Sequence, residues 1–150
     1  MFLAMTIHLL AAVIWVGGMF FAYVALRPSA GKVLDPPLRL ALWQQVFSRF
    51  FPWVWMSAAA LLLTGFWAIF GVMGSMAAVG MHVHFMMTVG IIMMAIFAHL
   101  YFGPFRHFKQ AVVQQDWKEG ASRLNQIRVL IAINLALGLS VVCIAAGGRY

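Results

Sequence analysis

Apolar residues in this chain are gathered into four long stretches, covering about residues 5–26, 51–72, 81–102 and 127–146. Each holds roughly 20 residues, the length an α-helix needs to cross ~30 Å of hydrocarbon. A helix is the element expected in each, because it satisfies its own backbone N–H and C=O groups where water is absent. Polar residues fall between the stretches, in 27–50 and 103–126, with a short uncharged link at 73–80. The pattern predicts an all-α fold, a polytopic transmembrane four-helix bundle forming one integral domain over 1–150.

Composition removes the soluble alternative. The chain is 65% hydrophobic and only 9% charged, against about 45–50% and about 25% in soluble domains. A water-exposed fold of this size needs a polar skin that these residues cannot supply. Lipid is therefore the expected surroundings. The first apolar stretch lacks a basic leader and is followed directly by Arg27, so it is expected as a retained span and not a cleaved signal peptide.

Charge then orients the bundle. Arg27, Lys32, Arg39 and Arg49 lie between spans one and two, and Arg106, Lys109, Lys118, Arg123 and Arg128 between spans three and four; only Arg149 lies elsewhere. Basic residues concentrate on the cytoplasmic side of membrane proteins. Loops 27–50 and 103–126 are thus expected to be cytoplasmic, with both termini and the 73–80 link extracytoplasmic, in a bacterial inner (cytoplasmic) membrane. The same placement explains a net charge of +7 without nucleic acid as a partner.

Smaller features refine the picture. After Pro36 and Pro37, residues 38–47 suit a short interfacial helix, and 105–118 a second surface helix. Trp43, Trp53 and Trp55 suit headgroup anchoring, and Arg128 suits snorkelling to the same depth. Gly17-Gly18, Ala58-Ala59-Ala60, Gly65 and Gly138 permit close helix contact, and Asn134 is either polar glue between helices or a site residue. Gly17-Gly18 would alternatively make room for a flat ring against the helix.

Candidate chemistry rests on histidine. Of five, His107 falls in a basic loop, while His8, His82, His84 and His99 lie in or at the edges of spans, where ionisable groups are costly and usually serve a purpose. Spans one and three cross in the same direction, so His8, His82 and His84 are expected at one depth, near the outer face. Neutral imidazole ligates iron, copper or zinc, and a facing pair closes the axial positions of a haem iron. Residues two apart on a helix point about 200° apart, so only one of His82 and His84 can face His8. His99 lies roughly 22 Å further along the helix than His84, with no span-one histidine at its depth. A hydrogen-bonding or five-coordinate role is expected there.

Methionine supports a rival metal. The chain has 11 methionines, and Met81-His82-Val83-His84-Phe85-Met86-Met87 surrounds two histidines with thioethers. Met1, Met5, Met73 and Met76 fall toward the same side, while Met19, Met56, Met93 and Met94 lie within spans. Thioether and imidazole suit Cu(I), although methionine is also an adaptable apolar filler. Asp35, Asp116 and Glu119 all lie outside the spans, which leaves a proton-driven transporter or carboxylate hydrolase little to work with. Cys143 is the single cysteine, so neither an intrachain disulfide nor a thiolate cluster can form.

Two family resemblances bear on this choice. The opening His8-Leu9-Leu10-Ala11-Ala12-Val13-Ile14-Trp15-Val16-Gly17-Gly18-Met19-Phe20-Phe21, followed by Leu26-Arg27-Pro28, resembles the first span of the CopD-like copper-resistance membrane domain. Arg123-Leu124-Asn125-Gln126-Ile127-Arg128, leading into Leu135-Ala136-Leu137-Gly138, resembles that family's last span. More distantly, the chain is similar to the small four-span family that acts in protoporphyrinogen oxidation. There, a first-span histidine before Trp-x-x-Gly and a third-span histidine near the outer end are associated with b-type haem; the matching positions are His8 and His82. His84 stands where that family has a lysine, which argues against the oxidase reaction itself.

The expectation drawn from the sequence is a membrane protein holding haem b near the outer face through His8 and His82 or His84. It would pass electrons, with a quinone or respiratory protein as partner. The alternative is a copper-binding or copper-transport protein using copper ion at the same residues, and a third is a ligand-free structural or assembly subunit. Whether the protein is an enzyme is left open. A homodimer is expected of so small a bundle.

Overall fold

A computed structural model describes residues 1–148; Arg149, the one basic residue placed opposite the loops, lies outside the described residues. The chain forms α1 (Phe2–Val33), α2 (Pro36–Val72), α3 (Met81–Phe102), α4 (Pro104–Val113) and α5 (Trp117–Gly147), with no strand among the described residues. Four helices are long and apolar enough to cross a membrane, α4 continuing the third of them past a break at Gly103.

The helix ends follow local chemistry. Leu34 and Asp35 adopt extended backbone ahead of Pro36, because a following proline disfavours the helical region, while proline itself fits the first helical turn. Gly103 turns at φ −105°, ψ −98° before Pro104 opens α4. Gln115 takes a left-handed φ of 57°, and Asp116 then caps α5 by accepting from the Glu119 backbone N–H at 3.2 Å. The link between α2 and α3 reverses at Gly74, φ 85°, where glycine carries no Cβ penalty.

The polar segments are far more helical than the expected loops. Residues 38–47 are the opening turns of α2, not a separate interfacial helix, because Leu40, Trp43 and Phe47 form one buried stripe. Trp43 is therefore a core residue and not a headgroup anchor. It stacks toward Phe47, which stacks on Phe51 with ring centroids 4.9 Å apart. Trp53 is exposed, as expected, and Trp55 packs against Phe97 and Tyr101. The expected 105–118 surface helix is α4, which buries Phe105, Phe108 and Ala111 against the bundle and leaves Arg106 and His107 outside.

Packing pairs α1 with α2 and α3 with α5, while α4 lies along α5. Helices α1 and α3 stand on the diagonal and meet at Trp15 and Phe97, whose rings make an edge-to-face contact with centroids 6.3 Å apart. Lipid offers no hydrophobic drive to bring helices together, so close fit and interhelical hydrogen bonds must do so. Gly18 gives its space to the ring of Phe50, so the flat ring it accommodates is a phenyl from α2. Gly17 faces open space. Gly138 admits Val16 and Met93. Asn134, 2% exposed, donates from Nδ2 to the Met93 carbonyl at 3.1 Å and so ties α5 to α3. Outside, Val13 and Leu63 are 66% and 72% exposed, an apolar exterior that water would not tolerate over this area.

Candidate functional site

The antiparallel topology gathers the start of α1, the end of α2, the start of α3 and the end of α5 at one end of the bundle. That end carries His8, His82 and His84, together with Met81, Met86 and Met87. The other end carries the nine basic residues among those described.

His8 is half-buried on α1 and faces α2. Its Nδ1 lies 2.7 Å from Thr64 Oγ1, and Thr64 Oγ1 lies 2.5 Å from the Ala60 carbonyl. A hydroxyl has one proton and a carbonyl only accepts, so the two contacts together assign the proton. Thr64 donates to Ala60 and accepts from His8 Nδ1–H. The imidazole is then the Nδ1–H tautomer, with a free lone pair on Nε2. A histidine oriented through one nitrogen by a neighbouring acceptor, with the other open, is the arrangement found at metal-ligating histidines. The ring packs beside Gly65, where a Cβ would stand 3.8 Å from His8 Cε1, at ordinary van der Waals contact.

His82 is exposed at the first turn of α3, and its ring lies against Gly80 and against Gly148 past the end of α5. A Cβ at Gly148 would approach the ring to 3.1 Å, so a side chain there would crowd it. His84 is half-buried, and its carbonyl accepts from Thr88 at 2.9 Å. His99 is exposed, with its ring beside Gly103. His107 is exposed on α4, with Nδ1 2.9 Å from the Gly103 carbonyl. The structure therefore brings His8 to Thr64 and His82 to the end of α5. Among the described residues, no three His, Cys, Asp or Glu side chains gather into one group. Cys143 is exposed.

Thr64 is the residue that sequence reasoning passed over. It stands one to two turns before the α2 end at Val72, much as His8 stands one to two turns after the α1 start. Matched depth of a hydroxyl and an imidazole on neighbouring spans was the available signal. Seeing it required knowing that α1 lies on α2.

The fold is that of a multi-pass helical membrane protein with histidines set among methionines at one end. The family profile described as copper resistance protein D matches residues 44–147. The chain belongs to that family. The matched region takes in most of α2 and all of α3 to α5, with the Met81–Met87 segment, and it begins after the first span. It lends no support to the protoporphyrinogen-oxidase likeness. Comparison with curated proteins and with solved structures gave no match.

Proposed function

We propose that this protein binds copper, as Cu(I), at the histidine end of the bundle. The observation that carries the reading is the copper-resistance family match across residues 44–147, which includes Met81, His82, His84, Met86 and Met87. Soft thioether and borderline imidazole are the donor types that suit Cu(I). His8 supports the reading from α1, since its Nδ1–H is held by Thr64 and its Nε2 is free to ligate. Because no three of the harder or thiolate donors cluster among the described residues, methionine sulfur supplies part of the ligand set in this proposal. Orientation belongs to the same reading. Nine of the ten basic residues lie at the opposite end, which supports an extracytoplasmic position for the histidines. A carboxy-terminal reporter active only in the cytoplasm overturns that orientation.

The haem reading draws on the same His8 tautomer, which would suit iron as well. It is the weaker of the two, because α1 and α3 sit on the diagonal and no family match accompanies it. One measurement separates them. Purified protein, metal-analysed and scanned oxidised and reduced, should contain copper near stoichiometry and show no Soret band. A Soret band with a sharp reduced α-band and no copper reverses the assignment, and loss of neither metal nor spectrum in His8→Ala removes His8 from the site.

A further inference from the structure

At the basic end, α1, α2 and α5 border an open cavity of about 500 Å³. Three arginines line it, one from each helix: Arg27, Arg39 and Arg128. No acidic side chain is among its lining residues. The ion pair found among the described residues, Glu119–Arg123 at 2.7 Å, engages none of the three.

Each guanidinium is held in place by a neutral group. Arg27 lies over the Tyr23 ring, 4.8 Å from its centroid. Arg39 donates through Nη2 to the Gly31 carbonyl at 3.2 Å and the Leu34 carbonyl at 3.1 Å, bracing the break between α1 and α2. Its Nε is buried with no partner. Arg128 donates through Nη2 to Asn125 Oδ1 at 2.5 Å. A guanidinium carries five N–H donors, so most remain free. Gathering three like charges around one hollow without a counter-charge is unfavourable, and leaving a buried donor unpaired adds to the cost. An anion in the cavity relieves both.

The backbone also leads there. The helix widens to a π-type turn over Phe21–Leu26, immediately before Arg27. Such turns are rare and concentrate at functional sites. Residues on this turn, Ala22 and Tyr23, line the cavity. The cations are all arginine, although the chain also has lysines. Arginine's planar fork matches the paired oxygens of a phosphate, which a point charge does not. Apart from Tyr23 and Asn125 the remaining wall is apolar and includes Trp43 and Phe47, so the occupant is expected to carry apolar atoms next to its anionic group.

We propose that this cavity binds a phosphate ester, and that Arg27, Arg39 and Arg128 are its ligands. Two sources share that chemistry: the headgroup of an anionic phospholipid entering from the bilayer, and a soluble phosphorylated metabolite. The site is separate from the histidine end, and it stands whether or not copper binds there.

The test uses the purified full chain in a neutral detergent. Thermal unfolding and native mass spectrometry are read with dioleoyl phosphatidylglycerol, with dioleoyl phosphatidylcholine, and with glycerol 3-phosphate. The expected result is at least about a tenfold preference for phosphatidylglycerol over phosphatidylcholine, in line with charge-assisted hydrogen bonds. Arg128→Gln and Arg39→Gln should each lose that preference, and Arg106→Gln, on the outer face of α4, should keep it. Arg128→Lys is the variant that keeps the charge and does not touch the α1–α2 break; it should weaken binding in proportion to the lost fork. Stabilisation by glycerol 3-phosphate, abolished in the same variants, upholds the site with a soluble ligand. Equal retention of the two lipids by the wild-type protein together with no response to glycerol 3-phosphate overturns the proposal. An equal loss in Arg106→Gln does so too, because it would reduce the effect to general surface charge.

Discussion

Thr64→Val tests the histidine end most sharply, because it removes one oxygen and keeps the shape. In the native protein His8 Nδ1–H donates to Thr64 Oγ1 at 2.7 Å, and Thr64 donates onward to Ala60. Valine removes the acceptor. The ring then loses the bond that fixes its plane and its tautomer, and a proton on Nε2 blocks coordination through that atom. Two magnitudes compete. As a structural bond between helices in a membrane, the contact is worth about 0.6 kcal/mol on average and about 1.7 kcal/mol at most. As an outer-shell partner of a metal ligand, its loss typically costs about 10–100-fold in metal affinity, or roughly 1.4–2.8 kcal/mol. The second effect exceeds the first at its average, so the bundle should stay folded while binding of the proposed copper weakens. The assay is competition for Cu(I) against a chromophoric chelator under reducing conditions, on protein shown by thermal unfolding to be folded. Thr64→Val should lose about 10–100-fold in affinity, Thr64→Ser should stay near wild type, and His8→Ala should lose at least as much as valine. Wild-type affinity in Thr64→Val with a loss in His8→Ala refutes the orienting role of Thr64. Wild-type affinity in both refutes His8 as a ligand.

Other substitutions examine the packing that holds this end in place. Asn134→Ala removes the bond to the Met93 carbonyl and should destabilise the bundle by about 0.6–1.7 kcal/mol; unfolding in mixed micelles that leaves it unchanged would mean that Asn134 is not glue between α3 and α5. Gly18→Leu forces a side chain into the place of the Phe50 ring and should cost about 1–3 kcal/mol, whereas Gly17→Ala meets open space and should be neutral or stabilising by up to about 1 kcal/mol. Reversal of that order in thermal unfolding would show that α1 meets α2 through the other face.

Much of the architecture is legible in the hydrophobic pattern, because four apolar runs of span length leave few alternatives. The helix boundaries are less so. Polar and apolar residues mix through 38–47 and 105–112, and a pattern of that kind reads equally as a surface helix or as the buried continuation of a span. The choice is made by tertiary packing of Trp43, Phe47, Phe105 and Phe108. Helix order around the bundle is also beyond periodicity. Depth places His8 level with His82 and His84, but only packing shows that α1 meets α2 and that the polar neighbour of His8 is Thr64. Arg128 illustrates the same gap. Its position near a span end suits snorkelling, yet it lines a cavity with two arginines distant in sequence, a convergence no local window reveals.

On the proposed copper reading, the two ends and the middle together bear on whether the ion is held or conducted. Of the mid-span thioethers, Met19 and Met93 face the bundle interior as core residues, 3% and 4% exposed, while Met56 is 53% exposed on the outside. The void bounded by Trp15, Met19, Phe97 and Asn134 measures about 10 Å³, around the least that holds a single water. Beyond it stand Arg27, Arg39 and Arg128, each repelling a cation at 4 Å by about 1 kcal/mol in water and about 4 kcal/mol at an effective dielectric of 20. An ion leaving the histidine end would have to open the packed centre and then climb a positive field. Retention at one end is therefore the favoured outcome in this conformation. Proteoliposomes containing the protein should bind Cu(I) at equilibrium yet accumulate it inside no faster than empty liposomes, as read by an encapsulated Cu(I)-sensitive dye. Faster entry that is abolished by Met93→Leu would establish a conducting path through the centre and overturn the retention argument.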